Sequence, residues 1–210
     1  MALSTTKICN LALSDLGANR INDFDDTKET GTEVILCRLH YEPIRDALLR
    51  SHYWAFASDR VKLAQDADKD PPFEWDNQFI LPNDFLYLKS IYDGTLVRTA
   101  RGSHALEGKR FLTNDSTVEI RYIKKVTDVT EFDPLFVQLL VLELDLKLVM
   151  PLTQDVNLKE SIKDDIKRFM PSVRALSRQE ANLIGRAAQD TWVDVRATSG
   201  GRVDSRVGKT

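Results

Sequence analysis

The stretch Asp133-Pro-Leu-Phe-Val-Gln-Leu-Leu-Val-Leu-Glu-Leu-Asp-Leu-Lys-Leu-Val-Met150 decides the fold class, because it can be taken two ways. Leu142 to Leu148 alternates apolar and charged residues, the pattern of a half-buried strand. Against that, Leu, Glu and Lys favour helices, β-branched residues are few, and the run extends over about sixteen residues, too long for an ordinary strand. The opening Asp133-Pro134 pair supplies a cap followed by proline at the first helical position. The stretch is therefore expected to be a buried helix ended by Pro151. Gln138, Glu143, Asp145 and Lys147 interrupt it, so it does not span a membrane.

Working outward, a last long helix is expected from near Thr153 or Asp155. Leu158, Ile162, Ile166, Phe169, Val173 and Leu176 fall on one side of it, with a bend at Pro171. Upstream the periodicity is that of strands. Arg60-Val-Lys-Leu-Ala64 alternates, Phe85 to Tyr92 is a strand ended by Asp93-Gly94, and Val118 to Tyr122 alternates cleanly. Short extended pieces at Thr95–Thr99, Ser103–Leu106 and Lys109–Thr113 are separated by turn chemistry at Glu107-Gly108 and Asn114-Asp115-Ser116. Together these predict one small antiparallel meander of about 70 residues.

Helices precede it. The first is expected from about Thr5 to Leu16, capped by Ser4 or Thr5 and stopped by Gly17. The second carries Val34, Cys37, Tyr41, Ile44 and Leu48 as one apolar stripe, with Thr27 or Thr30 as its cap. Pro43 inside it predicts a kink near Leu39, a break being the alternative. The acidic run Asp23, Asp25, Asp26 between the two helices is read as a solvated loop. At the other end, Ala197 to Thr210 has no apolar periodicity and cannot offset its own ordering entropy alone.

Composition narrows the function. Over 210 residues the chain is 42% hydrophobic and 29% charged, with 29 basic against 32 acidic residues and a net charge of −3. A chain of this size builds a core without disulfides or metal, and one coating nucleic acid would carry a basic excess. The N-terminal MALSTTKICN lacks the layout of a signal peptide, so a soluble product made in a cytoplasm is expected. Cys9 and Cys37 sit at apolar helical positions; spacing alone leaves a disulfide open, and two reduced core cysteines is the plainer reading.

A search for chemistry finds little. His40, His52 and His104 lie in different elements without metal-ligand spacing. No serine occupies a nucleophile elbow and no glycine-rich loop joins a strand to a helix. Neither a catalytic residue nor a cofactor or metal site is assigned. Glu74 and Asp76 flank Trp75, the one pairing that could serve a glycan (cell-wall or capsule) hydrolase. The plainer reading buries Trp75 in a structural aromatic junction with Tyr53, Trp54 and Phe56, plugging helices against sheet. A third reading is a DNA-binding module using Arg196, Arg202, Arg206 and Lys209.

The order of short motifs is more specific than any of them alone. Asn10-Leu-Ala-Leu-Ser-Asp-Leu-Gly17 is followed by Tyr41-Glu-Pro-Ile-Arg-Asp-Ala-Leu-Leu49, His52-Tyr-Trp-Ala-Phe-Ala57 and Arg60-Val-Lys-Leu-Ala64. Then come Phe73-Glu-Trp75, Phe79-Ile-Leu-Pro-Asn-Asp84, Glu119-Ile-Arg-Tyr122 and Thr191-Trp-Val-Asp-Val-Arg196. In this the chain resembles the tail tubular protein A family of podophages, head-to-tail adaptor proteins, over nearly its whole length. The resemblance implies an α+β fold: an antiparallel helical bundle (1–56 and 128–185) bearing an inserted small antiparallel β domain (57–127), then a C-terminal arm (186–210). It implies a non-enzymatic virion protein forming a homo-oligomeric ring of about twelve copies. That ring sits below the portal protein, extends the DNA channel and docks the tail nozzle protein beneath. Viral DNA passes through without specific binding. Trp192, Arg196, Arg202, Arg206 and Lys209 would form a portal-binding arm.

Overall fold

The computed structural model describes residues 3–66, 71–92, 97–98 and 104–176. Within them the chain is a mixed α+β protein of four helices and two antiparallel sheets.

Helix α1 spans Thr5–Asp15. Ser4 caps it by accepting the Lys7 N–H at 3.1 Å, and Gly17 ends it in the left-handed region at φ 68°. Helix α2 spans Thr32–Ser51 and runs unbroken through Pro43. Its cap is Gly31 rather than Thr27 or Thr30, because the chain ahead of it is held in a separate folded loop. All five residues of the expected stripe, Val34, Cys37, Tyr41, Ile44 and Leu48, are buried.

Helix α3, Pro134–Thr153, settles the ambiguous stretch as helix. The Asp133 carboxylate accepts from the N–H groups of Leu135 and Phe136 at 2.7 and 3.4 Å. Replacing Asp133 by Ala is expected to cost about 1–2 kcal/mol, read as a lower urea midpoint at unchanged slope. Pro151 does not end the helix. It lies within the final turn, and the stop is Gln154 in the left-handed conformation at φ 56°. Helix α4 covers 156–176 and passes through Pro171 without interruption. It is capped by Asp155, whose carboxylate accepts from the N–H groups of Asn157 and Leu158. Of its expected apolar side, Ile162 and Val173 are buried, while Leu176 remains 46% exposed.

The strands are not one meander. β1 (Ser58–Lys62), β8 (Glu119–Lys124), β4 (Phe85–Tyr92) and β5 (Val97–Arg98) form one sheet in that order. β2 (Ala64–Gln65), β3 (Asn77–Ile80), β7 (Arg110–Thr113) and β6 (His104–Glu107) form the other. The chain crosses between sheets at Leu63, which is buried and donates its N–H to the Val118 carbonyl at 2.8 Å. The first and last strands of the region therefore lie side by side.

Two apolar clusters result. Leu88, Ile91, Ile120 and Tyr122 of the first sheet meet Phe79 and Phe111 of the second. The larger cluster gathers α1, α2, α3 and α4 with Trp54, Ala57, Ile123 and Val126. α3 packs against both α1 and α2. Strand β8 serves both clusters by alternation, Ile120 and Tyr122 facing the other sheet and Ile123 facing the helices.

Candidate interaction surfaces

The aromatic segment after α2 is where helices meet sheet. Trp54 is 2% exposed, and its indole N–H donates to the Leu48 carbonyl at 3.0 Å. Phe136 on α3 stands edge-on to Trp54 at 5.1 Å, Phe56 at 5.2 Å and Phe132 at 4.9 Å. Tyr53 packs at the rim, with the Lys89 ammonium 3.5 Å from its ring centroid and its hydroxyl 3.0 Å from the Ser58 hydroxyl. Trp54 and Phe56 thus meet each other, Phe132 and Phe136, while Tyr53 borders the same apolar cluster. Trp75 is half-buried ahead of β3 and belongs to neither apolar cluster. Its neighbours Glu74 and Asp76 are exposed, Glu74 at φ 71°. Trp192, Arg196, Arg202, Arg206 and Lys209 lie outside the described residues.

Cys9 and Cys37 are both free and fully buried. The hydrogen bond between them, then burial, pushes the Cys9 thiol well above its usual range. Among the described residues no cluster of three or more His, Cys, Asp and Glu side chains is arranged to hold a metal ion. Nor is any described helix long and apolar enough to cross a membrane.

Three polar features stand out on or under the helices. The Arg38 guanidinium donates to the backbone carbonyls of Phe24, Glu29 and Asp26 at 2.7, 3.1 and 2.7 Å, folding the α1–α2 loop into a fixed shape. Arg45, 3% exposed, donates from Nε to Asp46 at 2.9 Å. Lys125 pairs with the other oxygen of that carboxylate at 2.9 Å, tying α2 to the chain after β8. Asp145 is 2% exposed on α3, and its Oδ1 has no hydrogen-bond partner. Burial, and then the Asp15 carboxylate on α1, pushes it up to about 8.

Among the described residues one depression opens between β4 and β6, and two more lie on the helices and on the first sheet. One of about 710 Å³ runs between α1, α3 and α4, with Leu11, Val141, Leu142 and Phe169 as its apolar floor and Asp15 and Arg168 at its edges. The other, about 500 Å³, lies on the first sheet and is lined by Arg60, Lys62, Ser90, Tyr92, Glu119 and Arg121. Its composition follows from register. Arg60 opposes Arg121, Lys62 opposes Glu119, and β4 sets Ser90 beside Arg121 and Tyr92 beside Glu119. This is the Ile123 face of the sheet, extended past the part that the helices cover. The sequence shows each strand's alternation, whereas the opposition of two arginines requires the pairing of β1 with β8.

No protein-family model and no curated protein matches this chain.

Proposed function

We propose that this protein is a non-enzymatic head-to-tail adaptor of a tailed phage. In this reading it forms a ring below the portal that extends the DNA channel and docks the next tail component. The observation that carries it is the ordered string of motifs from Asn10 to Arg196, with the resemblance it bears to the tail tubular protein A family. The helix–strand–helix order of the chain is compatible with the expected plan, a helical bundle with an inserted β domain. So is the way helices before and after the strands enter one apolar cluster.

The physical logic is that of a conduit. Each phosphate neutralised by the wall would add salt-dependent affinity and slow transit, so a balanced, slightly acidic chain suits passage without retention. Cohesion must come from contacts repeated between copies, heterologous and closing into a ring. Exposed Ile35 and Leu39 on α2 are apolar surface suited to such contacts. A basic C-terminal arm that orders on binding would add attachment to the portal through charge-assisted hydrogen bonds.

Negative-stain images of the protein mixed with its portal are expected to show a second ring on the portal. A portal that never acquires one refutes the proposal. Deleting everything after Arg196 is expected to weaken that attachment at least tenfold while leaving thermal unfolding unchanged. Equal binding by the truncated protein removes the role of the arm.

A further inference from the structure

We infer that the open basic face of the first sheet receives the acidic α1–α2 loop of a second copy of this chain, a head-to-tail contact. It rests on the self-assembling reading above and names the surfaces involved.

The receiving face is electrostatically incomplete in the single chain. Arg60 and Arg121 are cross-strand partners, which sets their Cβ atoms roughly 5 Å apart on one face. Like charges placed directly opposite destabilise a sheet pair. Among the described residues neither guanidinium takes part in an ion pair, while the adjacent Lys62 is 3.9 Å from Glu119. The basic residues line a concave depression of about 500 Å³ rather than a flat surface. A carboxylate-bearing segment entering it would relieve the repulsion and find the paired N–H forks that arginine offers to planar anions.

The complementary surface is on the same chain. The loop between α1 and α2 exposes Asp23, Asp25 and Asp26, with Lys28 as the only cation among residues 21–30. Arg38 forms no ion pair with them, since three of its N–H groups are committed to carbonyl oxygens of the loop, and its single charge leaves the loop net acidic. The loop is thereby rigid and still negative, so little ordering is needed on contact. It cannot reach the basic face of its own chain. The loop is tied to α2 at Arg38 and Tyr41, whereas the sheet meets α2 at Arg50, twelve residues and roughly 18 Å further along the helix from Arg38. The contact must therefore be made with another copy. Since donor and receiver are different surfaces, it is heterologous and repeats from copy to copy.

The test uses two full-length variants, Arg60→Glu with Arg121→Glu, and Asp25→Lys with Asp26→Lys. Arg60, Asp25 and Asp26 are exposed and Arg121 is half-buried, and unchanged thermal unfolding verifies folding. Self-association is measured by sedimentation at low ionic strength, where such contacts are strongest. Each variant alone is expected to associate at least tenfold more weakly than the wild type. Their equimolar mixture is expected to regain association, because acidic loop meets basic face at one junction and basic loop meets acidic face at the next. Carbodiimide cross-linking of mixed light and heavy-isotope wild-type protein is expected to join Lys62 of one copy to Asp23, Asp25 or Asp26 of another.

The inference is overturned if both variants associate like the wild type, or if their mixture stays dissociated. It is equally overturned if duplex DNA displaces wild-type association and binds through Arg60 and Arg121, which would give the face to a polyanion. Unimpaired rings of both variants on the portal would remove this contact and leave the adaptor reading standing. Absence of any ring on the portal, even with the wild type, sinks both.

Discussion

Between pH 5 and pH 8 the folded protein is expected to lose about 3 kcal/mol of stability through Asp145 alone, a loss that Asp145→Asn abolishes. The carboxyl is 2% exposed on α3, with Oδ1 unpartnered, and burial ahead of the Asp15 charge raises it to about 8. An unfolded aspartate titrates near 3.9. Between roughly pH 4 and pH 8 the folded chain therefore keeps a proton that the unfolded chain has released. Stability then falls as pH rises, by about 1.4 kcal/mol per unit inside that window, and levels off above the folded value. Urea melts of wild type and Asp145→Asn across this range measure the difference directly. Parallel pH profiles for the two proteins would show that Asp145 is already ionised in the fold.

Phe136→Ala is expected to cost about 3–5 kcal/mol, whereas Phe136→Leu costs about 1 kcal/mol. Phe136 is fully buried and touches Trp54, Phe56 and Phe132 edge-on, so truncation leaves a cavity between α3 and the segment leading into β1. Neighbouring rings cannot all collapse into that space, since each is also fixed from its own side. Trp54, for example, is held by its bond to the Leu48 carbonyl. Equilibrium unfolding gives the cost, and near-ultraviolet circular dichroism reports the repacking of Trp54. A cost below about 1 kcal/mol for the alanine variant would mean that the ring cluster adds no more than a well-accommodated swap.

The arrangement of charge follows a similar division between local and distant causes. Asp145 looks like a polar tooth in an alternating run, and of its neighbours Glu143 is half-buried and Lys147 exposed. Helical geometry, which places successive residues about 100° apart, turns Asp145 inward with Leu144 and Leu148 instead. The aromatic junction shows the same limit. Trp54 and Phe56 are near in sequence and their rings meet, but their principal partner, Phe136, comes from a helix 80 residues after Phe56, while Tyr53 borders the cluster and Trp75 stays apart.

What the sequence determined by itself was local. Ser4 and Gly17 bound α1, Asp133-Pro134 starts α3, the stripe from Val34 to Leu48 defines the buried side of α2, and the alternation from Val118 to Tyr122 marks β8. Those signals rest on caps, propensities and periods that act within a few residues. It took the packed structure to show that Pro151 does not end its helix, that strands divide between two sheets at Leu63, and that Arg60 stands opposite Arg121. Strand partners are chosen by burying two faces at once, and a one-residue slip would send every side chain to the wrong side. That choice belongs to the packed whole, and no single segment contains it.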